Sequence, residues 1–291
     1  MSFFSDTLKD RFLTIAHRGG ASLAPENTLS AAKKAIAVGA DMWELDVRMS
    51  GDGELIVLHD KTLSRTTNVR DIPKYSTRRP WHPDQFTLAE IRELDAGSWY
   101  VATDPFGQIR KSHLSKEETD RYKREHILTL REALSFTKEK NFPVNVEIKN
   151  HSDSPGEQVI VQRLADLIDE MGVANQVIVS SFNHGYLKAL KSENTCISTA
   201  ILVSKPLPDP IGLLQYLKAD AYHASCKSIT PELIKRLRDN GYAVNAYTVN
   251  NKAMMNELIA AGVNGIITDF PQVLSRIVQI RKEEAYGRLN V

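Results

Sequence analysis

Eight short runs rich in β-branched and aromatic residues recur along this chain: FLTIAH, MWELDV, PVNVEIK, QVIVSSF, ISTAILV, ADAYHAS, AVNAYTV and NGIITD. Seven of the intervals between them hold a helical pattern, and another helical pattern follows the last run. Strands that alternate with helices predict a parallel sheet, because each helix returns the chain to the side where the next strand must start. Eight is the number of strands that closes such a sheet into a (β/α)8 TIM barrel. A doubly wound open sheet is the alternative, and both the strand count and the lack of a dinucleotide-type glycine loop disfavour it.

The helix boundaries are marked. Gly39, Gly172, Gly241 and Gly262 each close a helical stretch and precede a strand, as a left-handed residue beyond a helix C-terminus does. TPELIKRLRDNG shows both ends at once, with Thr230 as N-cap, Pro231 in the first turn and Gly241 past the end.

One stretch breaks the rhythm. Residues 61 to 126 show no clear strand–helix alternation and contain Pro73, Pro80, Pro83 and Pro105. The stretch is too long for a plain loop. It reads as an inserted cap domain, with 1–60 and 127–291 forming one discontinuous barrel. It follows the second strand, so it is expected on the face where barrel enzymes keep their active sites.

Strand side chains alternate, so polar residues in these runs can be assigned to faces. Glu44 and Asp46 share one face of MWELDV, while Trp43, Leu45 and Val47 share the other. Glu147 and Lys149 share a face of NVEIK, Ile15 and His17 a face of TIAH, and Asn245 and Tyr247 a face of NAYTV. His59 ends LIVLH, a short run placed to form a hairpin with the second strand through the turn SGDG. In a parallel barrel both faces of a strand are buried, so these polar faces point to the barrel axis near its C-terminal mouth. Three acids near one axis cannot all ionise cheaply without a cation, and oxygen-only ligands suit Mg²⁺ or Ca²⁺.

Other signals read as structural. PENT starts a helix, with Asn27 or Thr28 as cap, and Gly19 and Gly20 permit a tight turn and close backbone approach. TDFP reads as turn chemistry, although Asp269 ends a strand and is placed to help hold the site. The only cysteines, Cys196 and Cys226, have no metal-ligand spacing and read as free core thiols in a reducing compartment. Formal net charge is +1, which gives no strong field for nucleic acid or an anionic membrane. The chain shows no secretory signal and no apolar run long enough for a membrane span, so the cytoplasm is the expected compartment.

AHRGG followed by PENT, then WELDVRMSGDGELIVLHDKTLSRTTN, NVEIK, YTVN and GIITDFP, together resemble the glycerophosphodiester phosphodiesterase family, in family order and over nearly the whole chain. The resemblance implies a TIM barrel with a small insertion that hydrolyses glycerophosphodiesters to sn-glycerol 3-phosphate and an alcohol. It implies one divalent cation, Ca²⁺ or Mg²⁺, held by Glu44, Asp46 and Glu147. It makes His17 and His59 the acid–base pair and Arg18 and Lys149 the phosphate-binding cations. Tyr247 stands where the family often has Trp, as an aromatic wall of the glycerol pocket. The implied partner is a small-molecule substrate. The rival readings are a phospholipase C- or D-like lipid phosphodiesterase and a non-catalytic phosphoester-binding barrel.

Overall fold

The computed structural model describes residues 11–152 and 154–289. Nine strands form one sheet: β1 (Leu13–Ala16), β2 (Met42–Met49), β3 (Leu55–Val57), β4 (Val144–Ile148), β5 (Val177–Ser181), β6 (Ser198–Val203), β7 (Ala221–Ser225), β8 (Ala243–Tyr247) and β9 (Gly265–Thr268). Their order is β1-β9-β8-β7-β6-β5-β4-β2-β3, and a further β1–β2 pairing closes the sheet. Eight of the strands pair in parallel and form the barrel. The ninth, β3, runs antiparallel to β2, with Val57 opposite Val47, as the LIVLH hairpin reading expects.

Helices follow the barrel strands at Leu29–Ala37, Leu130–Lys140, Ile160–Met171, His184–Glu193, Pro210–Leu217, Pro231–Asp239, Lys252–Ala261 and Pro271–Leu289. The glycines beyond four of them, Gly39, Gly172, Gly241 and Gly262, all have positive φ. Thr230 accepts from the Leu233 amide and so caps its helix. Among the described residues no helix is long and apolar enough to cross a membrane.

The alternation in β2 decides what the barrel holds. Trp43, Leu45 and Val47 face outward into the apolar layer between strands and helices. There the Trp43 indole donates to Thr137 Oγ1 at 3.1 Å and packs edge-on against Phe136. Burying each such side chain contributes roughly 1.5–3 kcal/mol. Met42 faces inward and joins Leu13, Ile15, Ile178, Ala200, Ala221, Ala243 and Ile267 in an apolar plug. Glu44 and Asp46, also inward, lie one and two steps further toward the C-terminal end of the same strand.

Residues 61–126 contain short helices at Leu88–Ile91, Ser98–Thr103 and Lys116–Tyr122 together with 3-10 turns. Leu63, Val69, Tyr75, Trp81, Phe86, Ile91 and Leu94 form a separate apolar cluster with Ile56 and Leu58 of the hairpin. Tyr100 and Tyr122 donate to the carbonyls of Ser22 and Leu23, in the loop that leaves β1. The segment therefore packs over the C-terminal ends of β1 and β2. One expectation fails: Cys196 is exposed and Cys226 only half-buried, so the thiols do not both belong to the core. Cys196 lies in the turn before β6, where its amide donates to Asn194 Oδ1 at 2.8 Å and its side chain is exposed.

Candidate active site

The strand reading places His17 on β1, but the strand stops at Ala16 and the chain turns through a 3-10 segment, His17–Gly19. Arg18 takes a left-handed conformation there, with φ 50°. That twist aims its backbone N–H at Glu44 Oε2, 2.8 Å away. Gly19 follows with φ +81°, and a Cβ at that position would lie 2.9 Å from Ala31 Cβ. The two glycines thus let the turn lie against the next helix while His17 and Arg18 point into the mouth.

Glu44, Asp46 and Glu147 offer carboxylate oxygens that all lie within 4.8 Å of one another. They are 3%, 1% and 9% exposed, so water cannot screen their mutual repulsion. Burial and the neighbouring acids raise the pKa of Glu44 and of Glu147. Burial would also raise Asp46, but Arg18, Lys149 and His59 outweigh it and hold that carboxyl well below the usual range. Asp46 Oδ1 is buried without a hydrogen-bond partner. The Lys149 ammonium donates to Glu147 Oε1 at 2.5 Å and lies 3.4 Å from Asp46 Oδ1, and Arg18 Nε lies 3.5 Å from Asp46 Oδ2. Three buried carboxylates face two cations. An orphaned carboxylate oxygen in an all-oxygen donor set fits a hard divalent cation.

Each candidate histidine has a carboxylate on Nδ1. His17 Nδ1 lies 2.6 Å from Asp269 Oδ1, and His59 Nδ1 lies 2.7 Å from Asp60 Oδ1. His17 Nε2 faces Glu44 Oε2 at 3.9 Å. Burial opposes a charge on the His17 ring, but Asp269 and Glu44 outweigh it and raise the pKa. Tyr247 ends β8, packs edge-on against Phe182, and donates its hydroxyl to the Val203 carbonyl at 2.8 Å. Its hydroxyl is thus committed to the Val203 carbonyl, leaving the ring as its contribution to the mouth.

Several residues of the site escaped the sequence reading. Asn27 does not cap the helix; Thr28 does, by accepting from the Ala31 amide. Asn27 instead donates from Nδ2 to Asp46 Oδ2 at 2.9 Å. Glu26 accepts from Arg18 at 2.8 Å and from Arg65 at 2.7 and 2.8 Å. Arg65 also donates to Asp60 at 2.6 and 2.9 Å. The signal for all of them was in PENT and HDKTLSR, where polar residues follow the strand-end histidines at short spacing. His151 stays outside the carboxylate cluster, with Nδ1 2.6 Å from the Lys149 carbonyl.

The family model for glycerophosphoryl diester phosphodiesterases matches residues 17–273. This chain belongs to the glycerophosphoryl diester phosphodiesterase family. It is 36% identical over 268 residues to a glycerophosphodiester phosphodiesterase of Caldanaerobacter subterraneus subsp. tengcongensis, covering 92% of this chain and 98% of that one. A Bacillus altitudinis glycerophosphodiester phosphodiesterase is 32% identical, over 92% of this chain and 97% of its own. Among solved structures, a phosphodiesterase from Oleispira antarctica in complex with the product sn-glycerol-3-phosphate superposes with a TM-score of 0.78 at 26% identity. That match covers 96% of this chain and 100% of the other. The family's matched segment begins at His17, the first polar residue of the site, and runs past Asp269.

Proposed function

We propose that this chain hydrolyses glycerophosphodiesters to sn-glycerol 3-phosphate and an alcohol at the barrel mouth. The observation that carries the reading is the meeting of three buried carboxylates, two cations and two carboxylate-held imidazoles in a member of this family. Glu44, Asp46 and Glu147 would hold one divalent cation, Ca²⁺ or Mg²⁺. When bound, such a cation supplies positive charge that neutralises phosphate and lowers the pKa of a coordinated hydroxyl.

The chain's own residues divide the remaining tasks. Arg18 and Lys149 stabilise charge on the phosphoryl oxygens. Asp269 and Asp60 each accept from an Nδ1–H, which leaves Nε2 of His17 and of His59 as the working atom. One Nε2 takes the proton from the neighbouring glycerol hydroxyl as its oxygen attacks phosphorus. The bond from phosphorus to the alcohol oxygen breaks, and the other histidine gives that oxygen its proton. The resulting five-membered cyclic phosphate is then opened by water with the two roles reversed, which restores both histidines. The Tyr247 ring walls the glycerol, and residues 61–126 act as a cap domain on a barrel made of 1–60 and 127–291. We assign the activity to the cytoplasm.

The test uses glycerophosphocholine and its analogue lacking the glycerol hydroxyl next to the phosphoester, each with and without EDTA. Intramolecular attack is worth several powers of ten in effective concentration. The analogue should therefore bind but hardly react, and EDTA should stop cleavage of the parent. Comparable rates for the two diesters would replace the cyclic route by direct attack of water. Full activity in EDTA would remove the cation.

A further inference from the structure

Glu44, Asp46 and Arg48 share one face of β2, so Arg48 continues the line of the two carboxylates by one more step. It is 8% exposed and stands opposite Ile56 of β3. A guanidinium buried this far is costly. Attraction from Asp46, Asp60, Glu147 and Asp84 offsets part of that cost. The diesterase reading gives this residue no task.

Its hydrogen bonds suggest one. Val57 is the last residue of β3, and the Leu58 amide still donates to the Asp46 carbonyl at 2.9 Å. His59 is the next residue along. Its carbonyl accepts from Arg48 Nε at 3.0 Å and from Arg48 Nη2 at 2.9 Å. Two N–H groups of one planar fork on a single oxygen fix the direction of that carbonyl as well as its distance. The ring is held separately, by Asp60 Oδ1 at Nδ1. His59 is thus held twice, through its main chain and through its ring.

The other histidine has the same arrangement built from backbone alone. The His17 carbonyl accepts from the amides of Gly20 at 2.8 Å and Ala21 at 3.2 Å. There the turn itself supplies both donors. At His59 one side chain supplies them, so the hold can be removed by a single substitution.

We propose that Arg48 is a positioning residue for His59: its fork on the His59 carbonyl sets where His59 Nε2 stands relative to the reacting phosphate. The inference rests on the diesterase reading above, in which that nitrogen moves a proton. Arg48 acts through His59 and not on the substrate.

The experiment is a double-mutant cycle on hydrolysis of glycerophosphocholine with saturating divalent cation. Arg48→Met loses both the fork and the charge, whereas Arg48→Lys keeps the charge and loses the fork. With His59 present, kcat should fall about 10²-fold in Arg48→Met and about tenfold in Arg48→Lys, because a displacement of about 1 Å costs on that order. KM should change by less than about threefold in both. In the His59→Ala background no ring is left to position, and the same substitutions should change kcat by less than about twofold. Arg48→Lys carries the test alone if Arg48→Met does not fold. Equal losses in the two backgrounds would overturn the proposal, since Arg48 would then act on the carboxylates or on the barrel at large. Native kcat in both Arg48 variants would overturn it as well. No cleavage by the native protein would overturn the diesterase reading and this proposal with it.

Discussion

Asp269 Oδ1 lies 2.6 Å from His17 Nδ1, and on the far side of the same ring Nε2 faces Glu44 at 3.9 Å. The two acids reach the imidazole from opposite ends of the chain, one just past β9 and the other on β2. Asn250 fixes Asp269 in turn, donating from Nδ2 to its other carboxylate oxygen at 2.5 Å and accepting from its amide at 3.0 Å. The ring of His17 is therefore oriented before any substrate arrives.

Replacing Asp269 by Asn keeps the size of this side chain and removes its charge. Turnover of glycerophosphocholine should fall by about 10² or more, with KM changed little, because the tautomer of His17, the proposed acid–base residue, is no longer specified. Far-ultraviolet circular dichroism should be unchanged. A kcat within about threefold of the native value would make Asp269 a turn residue only.

Arg65 ties the two halves of the site together. It bridges Asp60, which holds His59, to Glu26, which holds Arg18. It comes from the inserted segment, and its guanidinium lies over the Trp99 ring. Arg65→Lys cannot span both carboxylates in the same fork geometry. Losing charge-assisted bonds worth about 1.5–3 kcal/mol should lower kcat roughly 10- to 100-fold. Thermal stability should change by only a few degrees, since the side chain is partly exposed. Native turnover in Arg65→Lys would show that His59 and Arg18 are held without it.

His223 points into the barrel from β7, where its Nε2 accepts from Asn245 Nδ2 at 2.9 Å. Complete burial pushes its pKa down to about 3 from the ordinary 6.5. The unfolded chain therefore binds a proton between those two pH values that the folded chain does not. His223 thus lends its full stability above pH 6.5, and this is lost progressively as pH falls toward 3. The full effect is on the order of 5 kcal/mol. Urea unfolding of the native protein and of His223→Gln from pH 8 to pH 4 should give curves that converge as pH falls. Parallel curves would mean that His223 does not remain neutral.

How far the site could be read in advance depended on local periodicity. The period-two pattern of MWELDV puts Glu44 and Asp46 on one face whatever the tertiary fold, and the barrel then turns that face inward. Asp269 was visible as a strand-end acid, but its partner lies 252 positions away and no local pattern links the two. Asn27 stood beside Thr28 as a cap candidate because both residue types are favoured at helix N-caps. Its positive φ of 62° instead points the amide at Asp46. The loss of rhythm sets residues 61–126 apart in the sequence, but Arg65 gains its partners only when the segment folds back over the β1 loop.

Product analysis is the most direct test of the central claim. Purified native protein, His17→Ala and His59→Ala are each incubated with glycerophosphocholine and a divalent cation, and the products are followed by phosphorus NMR. The native protein should release sn-glycerol 3-phosphate and choline, and each variant should do so about 10²- to 10⁴-fold more slowly while remaining folded. Phosphocholine and glycerol as products, or native turnover in either variant, would contradict the account.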